Sequence, residues 1–286
     1  MNSTDVALLM GVNVSTIKRW TNSSKLPCYQ TPGGHRKFTL GHINKFLKNY
    51  TKKIRKINLI QLKGLRDKEL IHYIEHAEFT KLIPIFIKAA IESNRRKIRT
   101  IITGLYLKGE QLENIYDFLV FPVMRTIGDL WEEGKLSIPE EHLASEVLRE
   151  AIYDLGESLA IELPYDAPSA ICFSLVGDEH ELPLIMTKQL LELNGIRTFN
   201  MGRSLPVKSL FDIFEKIEPL YIIISANYYD NKKTIINEMH ALLKIIGERK
   251  IRIFIGGSVS NIIKNTFGEK IFEINNMCNL KQRFQN

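Results

Sequence analysis

The residues of this chain best suited to ligand chemistry follow three apolar runs in its C-terminal half. Asp178 and His180 come after the first run, Ser225 ends the second, and Gly256 and Gly257 end the third. An imidazole can ligate a metal, carboxylate and hydroxyl groups can form hydrogen bonds, and glycines let a ligand approach the backbone closely. Loops that follow successive parallel strands lie at one edge of a sheet. We therefore predict that these residues line one crevice.

The pattern from Ser169 onwards predicts the sheet that would carry this crevice. Apolar runs typical of buried strands alternate with segments of helical periodicity. Strands joined by crossover helices form a doubly wound parallel sheet, for which we expect the flavodoxin-like strand order. The predicted strands are Ala170–Val176, Arg197–Met201, Leu220–Ser225, Arg252–Ile255 and Ile271–Ile274, and the predicted helices are Leu182–Leu193, Val207–Lys216, Lys232–Ile246 and Asn261–Phe267.

A helical bundle is predicted between residues 67 and 163, where apolar residues repeat at helical spacing. The stripes are Ile83, Phe86, Ile87, Ala90 and Ile91, then Ile115, Phe118, Leu119, Met124, Ile127 and Leu130, then Leu143, Val147, Leu148, Ile152 and Leu155. Gly134 should end one helix, and Ser137 and Glu140 form a capping box for the next.

Trp131, Glu141 and His142 are therefore expected at the same end of this bundle. An apolar ring beside a carboxylate and an imidazole suits a planar or ribose-bearing ligand. The alternative is that Trp131 belongs to the core and that Glu141 and His142 only cap a helix.

His72, Glu75 and His76 fit the H-x-x-E-H spacing of some zinc proteases. On a helix, the two histidines would share a face and could bind a metal. No convincing third ligand follows in the sequence, so we interpret them as a surface histidine pair.

The first 60 residues are strongly basic, with 11 Lys and Arg against one acid, whereas the remaining 226 carry a net charge of −3. This asymmetry indicates an anionic partner, either nucleic acid or a membrane surface. The cations flank a predicted turn instead of lining one amphipathic face, which favours nucleic acid.

Two short helices joined by a glycine are typical of a helix-turn-helix motif. We expect Ser3 or Thr4 to cap a helix that ends at Met10, and Asn13 to cap a second helix over Val14–Trp20. A Pro-Gly-Gly turn then precedes a basic wing, and a further helix follows over Thr39–Asn49. The predicted DNA-contacting residues are Thr16, Lys18 and Arg19 on the second helix and His35, Arg36 and Lys37 on the wing.

Three segments resemble known families. DVALLMGVNVSTIKRW (5–20) followed by TPGGHRKF (31–38) resembles the winged helix-turn-helix of MerR-type transcription regulators. Asp178-x-His180, a serine turn and a glycine pair resemble the cobalamin-binding domain of methionine synthase, methylmalonyl-CoA mutase and corrinoid proteins. Trp131, nine residues and then Glu141-His142 resemble the W-x9-EH motif of cobalamin-dependent, light-responsive MerR regulators of the CarH/LitR type.

The resemblance implies a role for each site residue. His180 would be the lower axial ligand of the cobalt of cobalamin, and Asp178 would hold its other ring nitrogen. Ser225 would contact the nucleotide tail, and Gly256 and Gly257 would allow its close passage. Trp131 would pack on the adenosyl group of adenosylcobalamin, while Glu141, with His142 beside it, would contact the ribose.

Three positions depart from these patterns. Pro183 stands where the cobalamin domain has glycine, Asn227 where a threonine is often found, and Glu132 where members that form a bis-histidine adduct have histidine. The first two would crowd or repolarise the tail channel, and the third bears on the photochemical step.

The predicted organisation is a winged helix-turn-helix over residues 1–50, a linker over 51–66, a helical bundle over 67–165 and a flavodoxin-like α/β domain over 166–286. The main hypothesis is a transcription regulator that binds a double-stranded DNA operator and is controlled by cobalamin. We expect the adenosyl form of the cofactor, with light as a candidate signal. Control would act through a homo-oligomer, either a dimer or a tetramer. A second hypothesis keeps the regulator but gives it a degenerate pocket, with a protein partner or another ligand in control. A third is a corrinoid methyl-transfer protein, against which the basic module argues.

Composition sets the outer limits. The chain has 286 residues, of which 44% are hydrophobic and 25% charged, which excludes wholesale disorder. It contains no apolar run near 18 residues and no signal-like N-terminus, so we expect no membrane association. The three cysteines lie far apart, which fits neither a disulfide framework nor a CxxC site and indicates the cytoplasm.

Overall fold

The computed structural model describes residues 1–50, 57–59, 62 and 67–285. Its internal contacts divide the chain into two compact units, Met1–Ile161 and Glu162–Asn286. Most of the predicted linker lies outside the described residues. Of its four described members, Ile57, Leu59 and Leu62 are buried and Asn58 is partly exposed. Among the described helices, none is long and apolar enough to cross a bilayer.

The N-terminal segment folds as two helices, a two-stranded wing and a third helix. The elements are α1 (Ser3–Met10), α2 (Val14–Asn22), β1 (Tyr29–Gln30), β2 (Arg36–Lys37) and α3 (Leu40–Tyr50), with β1 and β2 antiparallel. The cap of α1 was predicted wrongly: Asn2, not Ser3 or Thr4, accepts hydrogen bonds from the N–H groups of the first turn. Gly11 ends α1 in the left-handed conformation and Asn13 caps α2, both as predicted.

The middle of the chain is helical, as predicted. Its helices are α4 (Lys68–Glu75), α5 (Phe79–Ile91), α6 (Arg95–Leu107), α7 (Leu112–Ile115), α8 (Phe121–Glu132) and α9 (Ile138–Leu159). A π-helical turn over Tyr116–Val120 joins α7 to α8 and was not predicted. Two residues of the predicted stripes, Phe118 and Leu143, lie at the surface, since each is more than half exposed.

The C-terminal unit is a five-stranded parallel sheet with flanking helices. Its elements are β3 (Ser169–Leu175), α10 (Leu182–Leu193), β4 (Arg197–Leu205), α11 (Phe211–Ile217), β5 (Tyr221–Ser225), α12 (Lys232–Ile246), β6 (Arg252–Gly256), α13 (Ser260–Phe267), β7 (Ile271–Ile274) and α14 (Met277–Gln285). The order β4-β3-β5-β6-β7 confirms the flavodoxin-like fold. The largest differences from the prediction are three: β4 runs four residues further than expected, a 3-10 helix over Val207–Leu210 replaces the start of the predicted helix before α11, and α14 was missed.

The three cysteines differ in exposure. Cys172 lies in the interior of β3, and burial raises the pKa of its thiol to about 12. Cys28 in the first unit and Cys278 in the second are both partly exposed.

Candidate functional site

Asp178 and His180 form the centre of the candidate site, in the loop that follows β3. The carboxylate of Asp178 is fully buried. Its Oδ1 accepts hydrogen bonds from the backbone N–H of His180 at 3.0 Å and from Nδ1 of the same residue at 2.7 Å. The imidazole itself is 56% exposed. A carboxylate that holds one ring nitrogen orients the other, which is how proteins usually prepare a metal-ligating histidine.

The same carboxylate joins two strand ends. Asp178 Oδ2 accepts the backbone N–H of Asn227, at 2.6 Å, so the loop after β5 is fastened to the loop after β3. The Asn227 side chain in turn donates from Nδ2 to the hydroxyl oxygen of Ser225, at 2.9 Å. The structure therefore brings Ser225 and Asp178 together through Asn227, which the sequence had marked only as a departure.

Two further serines, Ser174 and Ser204, form hydrogen bonds with the backbone of the loop that carries Asp178. The Ser174 hydroxyl donates to the backbone carbonyl of Asp178 at 2.6 Å and accepts the N–H of Ser204 at 2.9 Å. The Ser204 hydroxyl accepts the N–H of Gly177 at 3.0 Å. Neither serine was predicted, because each acts on backbone groups and neither belongs to a motif. Together they fix the chain that carries Asp178.

The glycine pair lies at the end of β6, at the same edge of the sheet, with Gly256 as the last residue of the strand and Gly257 directly after it. Gly257 has a φ of +116°, and a Cβ there would lie 2.3 Å from the Ala226 carbonyl oxygen. A Cβ on Gly256 would lie 3.1 Å from the Ile274 carbonyl oxygen. Gly257 is therefore required by the packing of the loops themselves, apart from any need for a ligand to pass.

Pro183 occupies the first turn of α10, where a proline is well tolerated. It is partly exposed, two residues beyond Glu181 at the start of the helix. The proline therefore follows directly on the loop that carries His180.

In the first unit, the structure places Trp131 near the end of α8, Glu141 in the first turn of α9 and His142 directly after it. Backbone hydrogen bonds from Lys135 and Leu136 to the Leu130 carbonyl close the intervening turn at 2.8 and 3.1 Å. These three predicted residues thus share one end of the bundle.

The exposure of these side chains favours a surface role over a core role. Trp131 is 45% exposed. His142 is 73% exposed, with its Nε2 3.6 Å from the Glu141 carboxylate. The other Glu141 oxygen accepts the Ser145 hydroxyl at 2.6 Å, which fixes the carboxylate against α9. Trp131 is therefore not the core residue that one interpretation of the sequence required.

The predicted DNA-contacting residues lie on α2 and at the wing. Lys18, Arg19, His35 and Lys37 are exposed, and Thr16 is partly exposed. These cations, in a segment of net charge +10 over residues 1–60, suit contacts with phosphates.

Arg36 differs from the other predicted wing residues because its side chain makes a hydrogen bond within the protein. It is partly buried, and its Nη2 donates to Oδ1 of Asn22 at 2.7 Å. The bond ties the wing to the end of α2 and so fixes the spacing between the two elements. Lys37, which is exposed, is the simpler candidate for a phosphate contact.

The donor set at Asp178 and His180 fits a histidine-ligated metal centre. An exposed imidazole with Nδ1 held by a buried carboxylate presents Nε2 as the ligating atom. Gly257 has no side chain and packs closely against the Ala226 carbonyl in the loop after β5. Both loops lie at the edge of the sheet where ligands of such folds bind.

Models of two domain families match parts of the chain. A helix-turn-helix domain model matches residues 1–51, and a B12 binding domain model matches residues 85–155. The first match covers α1 to α3 and the wing. The second lies within the helical bundle, over the part that carries Trp131, Glu141 and His142.

The chain is similar to the HTH-type transcriptional repressor CarH of Myxococcus xanthus, with 24% identity over 149 residues. The match covers 51% of this chain and 47% of that protein, so the chain spans about half the length of the relative. Among solved structures, the monomethylamine corrinoid protein of Methanosarcina barkeri is similar, with a TM-score of 0.58 and 17% identity. That likeness covers 71% of this chain and 97% of the other, and it shows a shared fold. The predicted resemblance to helix-turn-helix regulators with a cobalamin-binding domain is thereby confirmed.

Proposed function

We propose that this protein is a DNA-binding transcription regulator whose activity is controlled by cobalamin through a change in oligomeric state. The observation that carries the proposal is the buried Asp178 carboxylate on Nδ1 of His180, in a chain that also begins with a basic helix-turn-helix. The B12 binding domain match and the similarity to a transcriptional repressor support both halves.

His180 would ligate the cobalt of cobalamin through Nε2, and Asp178 would keep Nδ1 protonated and the ring in place. Ser225, Gly256 and Gly257 would line the path of the nucleotide tail, since all three lie at the same edge of the sheet. In the adenosyl form, the cofactor supplies a cobalt–carbon bond that light can cleave.

Trp131, Glu141 and His142 would bind the adenosyl group. The support is the exposure of the Trp131 ring at the end of a bundle that matches the B12 binding domain. A flat apolar face suits a purine, and a carboxylate can accept hydrogen bonds from ribose hydroxyls.

The partner on the other side is double-stranded DNA. α2 would enter the major groove with Thr16, Lys18 and Arg19, while His35, Arg36 and Lys37 contact the backbone. Helix-turn-helix modules usually act in pairs on two half-sites, so we expect at least a dimer on DNA.

The competing proposal is a regulator with a degenerate pocket, controlled by a protein partner or another ligand. One observation favours it: the Ser225 hydroxyl already accepts a hydrogen bond from Asn227, where the family often has threonine. The shared fold with the corrinoid protein supports a methyl-transfer role, but such a role would not explain the basic helix-turn-helix.

The decisive experiment is a cofactor-retention assay. The purified chain is incubated in the dark with adenosylcobalamin, desalted and examined by absorption spectroscopy. We expect retained cobalamin with the spectrum of a histidine-ligated cobalt, and loss of that spectrum in His180→Ala. A wild type that retains nothing would contradict the proposal and favour the degenerate pocket.

The oligomer hypothesis needs a separate test. Size-exclusion chromatography of the loaded protein in the dark and after green light should give different elution volumes. Because Glu132 stands where bis-histidine members have histidine, we expect the light-adapted state to be less durable than theirs. Identical elution after confirmed photolysis would remove light and oligomerisation from the mechanism.

A further inference from the structure

Three side chains of metal-ligating type meet where α4 ends. His72 lies in the last turn of α4, His76 is the residue that caps the C-terminus of this helix, and Glu78 follows two residues later. One donor atom from each residue lies within 4.8 Å of the other two. Among the described residues, this is the one such group of three histidine, cysteine or acidic side chains. None of the three has a role in the proposed DNA or cobalamin site.

A sharp chain reversal brings Glu78 back to the helix. Ala77 takes a left-handed conformation with a φ of +50°. The N–H of Glu78 then donates to the Tyr73 carbonyl at 2.9 Å, which closes the helix end. The carboxylate is thereby placed beside His72 by the backbone.

The geometry is that of an incompletely closed metal site. His72 Nε2 lies 3.2 Å from Glu78 Oε1, and two ligands of a tetrahedral zinc ion at its usual bond lengths are about 3.3 Å apart. The ring centroids of His72 and His76 are 4.2 Å apart. His76 Nδ1 lies 2.9 Å from the His72 carbonyl oxygen, so this nitrogen carries the proton and Nε2 is left as the ligating atom.

The carboxylate of the sequence motif is not part of this group. Glu75, the acid in H-x-x-E-H, pairs with Lys108, which caps the C-terminus of α6, at 3.9 Å. The arrangement therefore differs from the zinc-protease site that the spacing suggests, in which that glutamate serves the metal-bound water. Both histidines are also exposed, so the group suits binding and not an enclosed reaction.

We propose that His72, His76 and Glu78 bind a divalent transition metal ion, with Zn²⁺ as the ion best matched to two imidazoles and one carboxylate. Water would fill the remaining position. The ion would fasten the end of α4 to the segment that opens α5.

The test is isothermal titration calorimetry of the cobalamin-free full chain with Zn²⁺. We expect His72→Ala to weaken binding at this site at least about tenfold. Glu78→Gln should weaken it as well. Glu75→Gln is the matched control, since it removes the motif carboxylate without touching the site, and His240→Ala controls for loss of an exposed histidine elsewhere. Neither control should change the affinity.

Histidine-specific ¹⁵N NMR identifies the ligands independently. Zinc should shift the ring Nε2 signals of His72 and His76, and circular dichroism should show that the variants remain folded. Two outcomes would overturn the proposal: equal effects of the Glu75 and Glu78 substitutions, or zinc shifts confined to other histidines.

Discussion

Replacing Asp178 by asparagine changes one oxygen into an amide nitrogen, yet it should measurably destabilise the C-terminal unit. The carboxylate accepts three hydrogen bonds, two from His180 on Oδ1 and one from the Asn227 backbone on Oδ2. An asparagine offers one acceptor oxygen. In either orientation, its NH₂ group faces a backbone N–H, 2.6 Å away at Asn227 or 3.0 Å away at His180.

The magnitude follows from these contacts. A hydrogen bond to a charged group contributes about 1.5–3 kcal/mol, and a buried donor left without a partner costs about 1–3 kcal/mol. We therefore expect Asp178→Asn to lower the free energy of unfolding of this unit by roughly 3 kcal/mol. The same change loosens the tautomer of His180, so cobalamin affinity should fall by about tenfold or more.

The assay exploits the position of the tryptophans. Both Trp20 and Trp131 belong to the first unit, so tryptophan fluorescence in a urea titration reports on that unit. Circular dichroism at 222 nm reports on both. The asparagine variant should shift the circular dichroism transition to lower urea and leave the fluorescence midpoint in place.

A matched variant separates the buried carboxylate from charge alone. Asp166 is exposed in the turn before β3 of the same unit, so Asp166→Asn should change stability by less than about 0.5 kcal/mol. If Asp178→Asn costs no more than Asp166→Asn, the network does not hold the two loops together and the reasoning fails.

Three shorter predictions follow. Gly257→Ala should destabilise the α/β unit by about 2 kcal/mol or more in thermal denaturation, because its Cβ would meet a carbonyl oxygen at 2.3 Å. Gly202 also has a positive φ but open space around it, so Gly202→Ala should cost only about 1 kcal/mol, and equal costs would refute the steric argument. Trp131→Ala should weaken adenosylcobalamin binding about tenfold in equilibrium titrations and leave the affinity for cyanocobalamin unchanged. Tyr153 is another exposed aromatic residue of the bundle, and Tyr153→Ala should change neither affinity. Equal losses for both cobalamins in the Trp131 variant would place this residue away from the adenosyl group. Lys37→Ala should weaken DNA binding to all sequences alike and reduce the salt slope by about one unit, and a loss confined to one base pair would contradict a phosphate contact.

Regular elements with strong periodicity could be predicted from the sequence. The bounds of α10, α12 and β7 agree with the structure, because each has an uninterrupted apolar pattern between clear breakers. The helix α14 was missed because its sequence is mostly polar, although Met277 and Leu280 are buried. Its position is decided by the sheet face on which it packs, where the Phe284 ring contacts Tyr221 of β5 and Phe254 of β6, and not by its own pattern.

The site was predictable only where side chains act in known patterns. The pairing of Asp178 with His180 was predicted through the resemblance of this loop to cobalamin-binding domains, and the two residues lie in one short loop. Asn227 enters through its backbone N–H, which every non-proline residue has, so no residue type marks it. Glu78 was missed for a related reason, since the left-handed turn at Ala77 that returns it to His72 has no signature at a non-glycine residue.

Because the three cysteines differ in burial, the rate at which each thiol is labelled reports on how often its surroundings open. A thiol-reactive dye added to the folded chain should label Cys28 in one unit and Cys278 in the other. Cys172 can react only when β3 separates from its neighbours, since its thiol is enclosed and its pKa is raised to about 12. The slow third labelling step would therefore time the opening of the α/β unit under native conditions. A cofactor that binds only the closed sheet should slow that step in proportion to its occupancy.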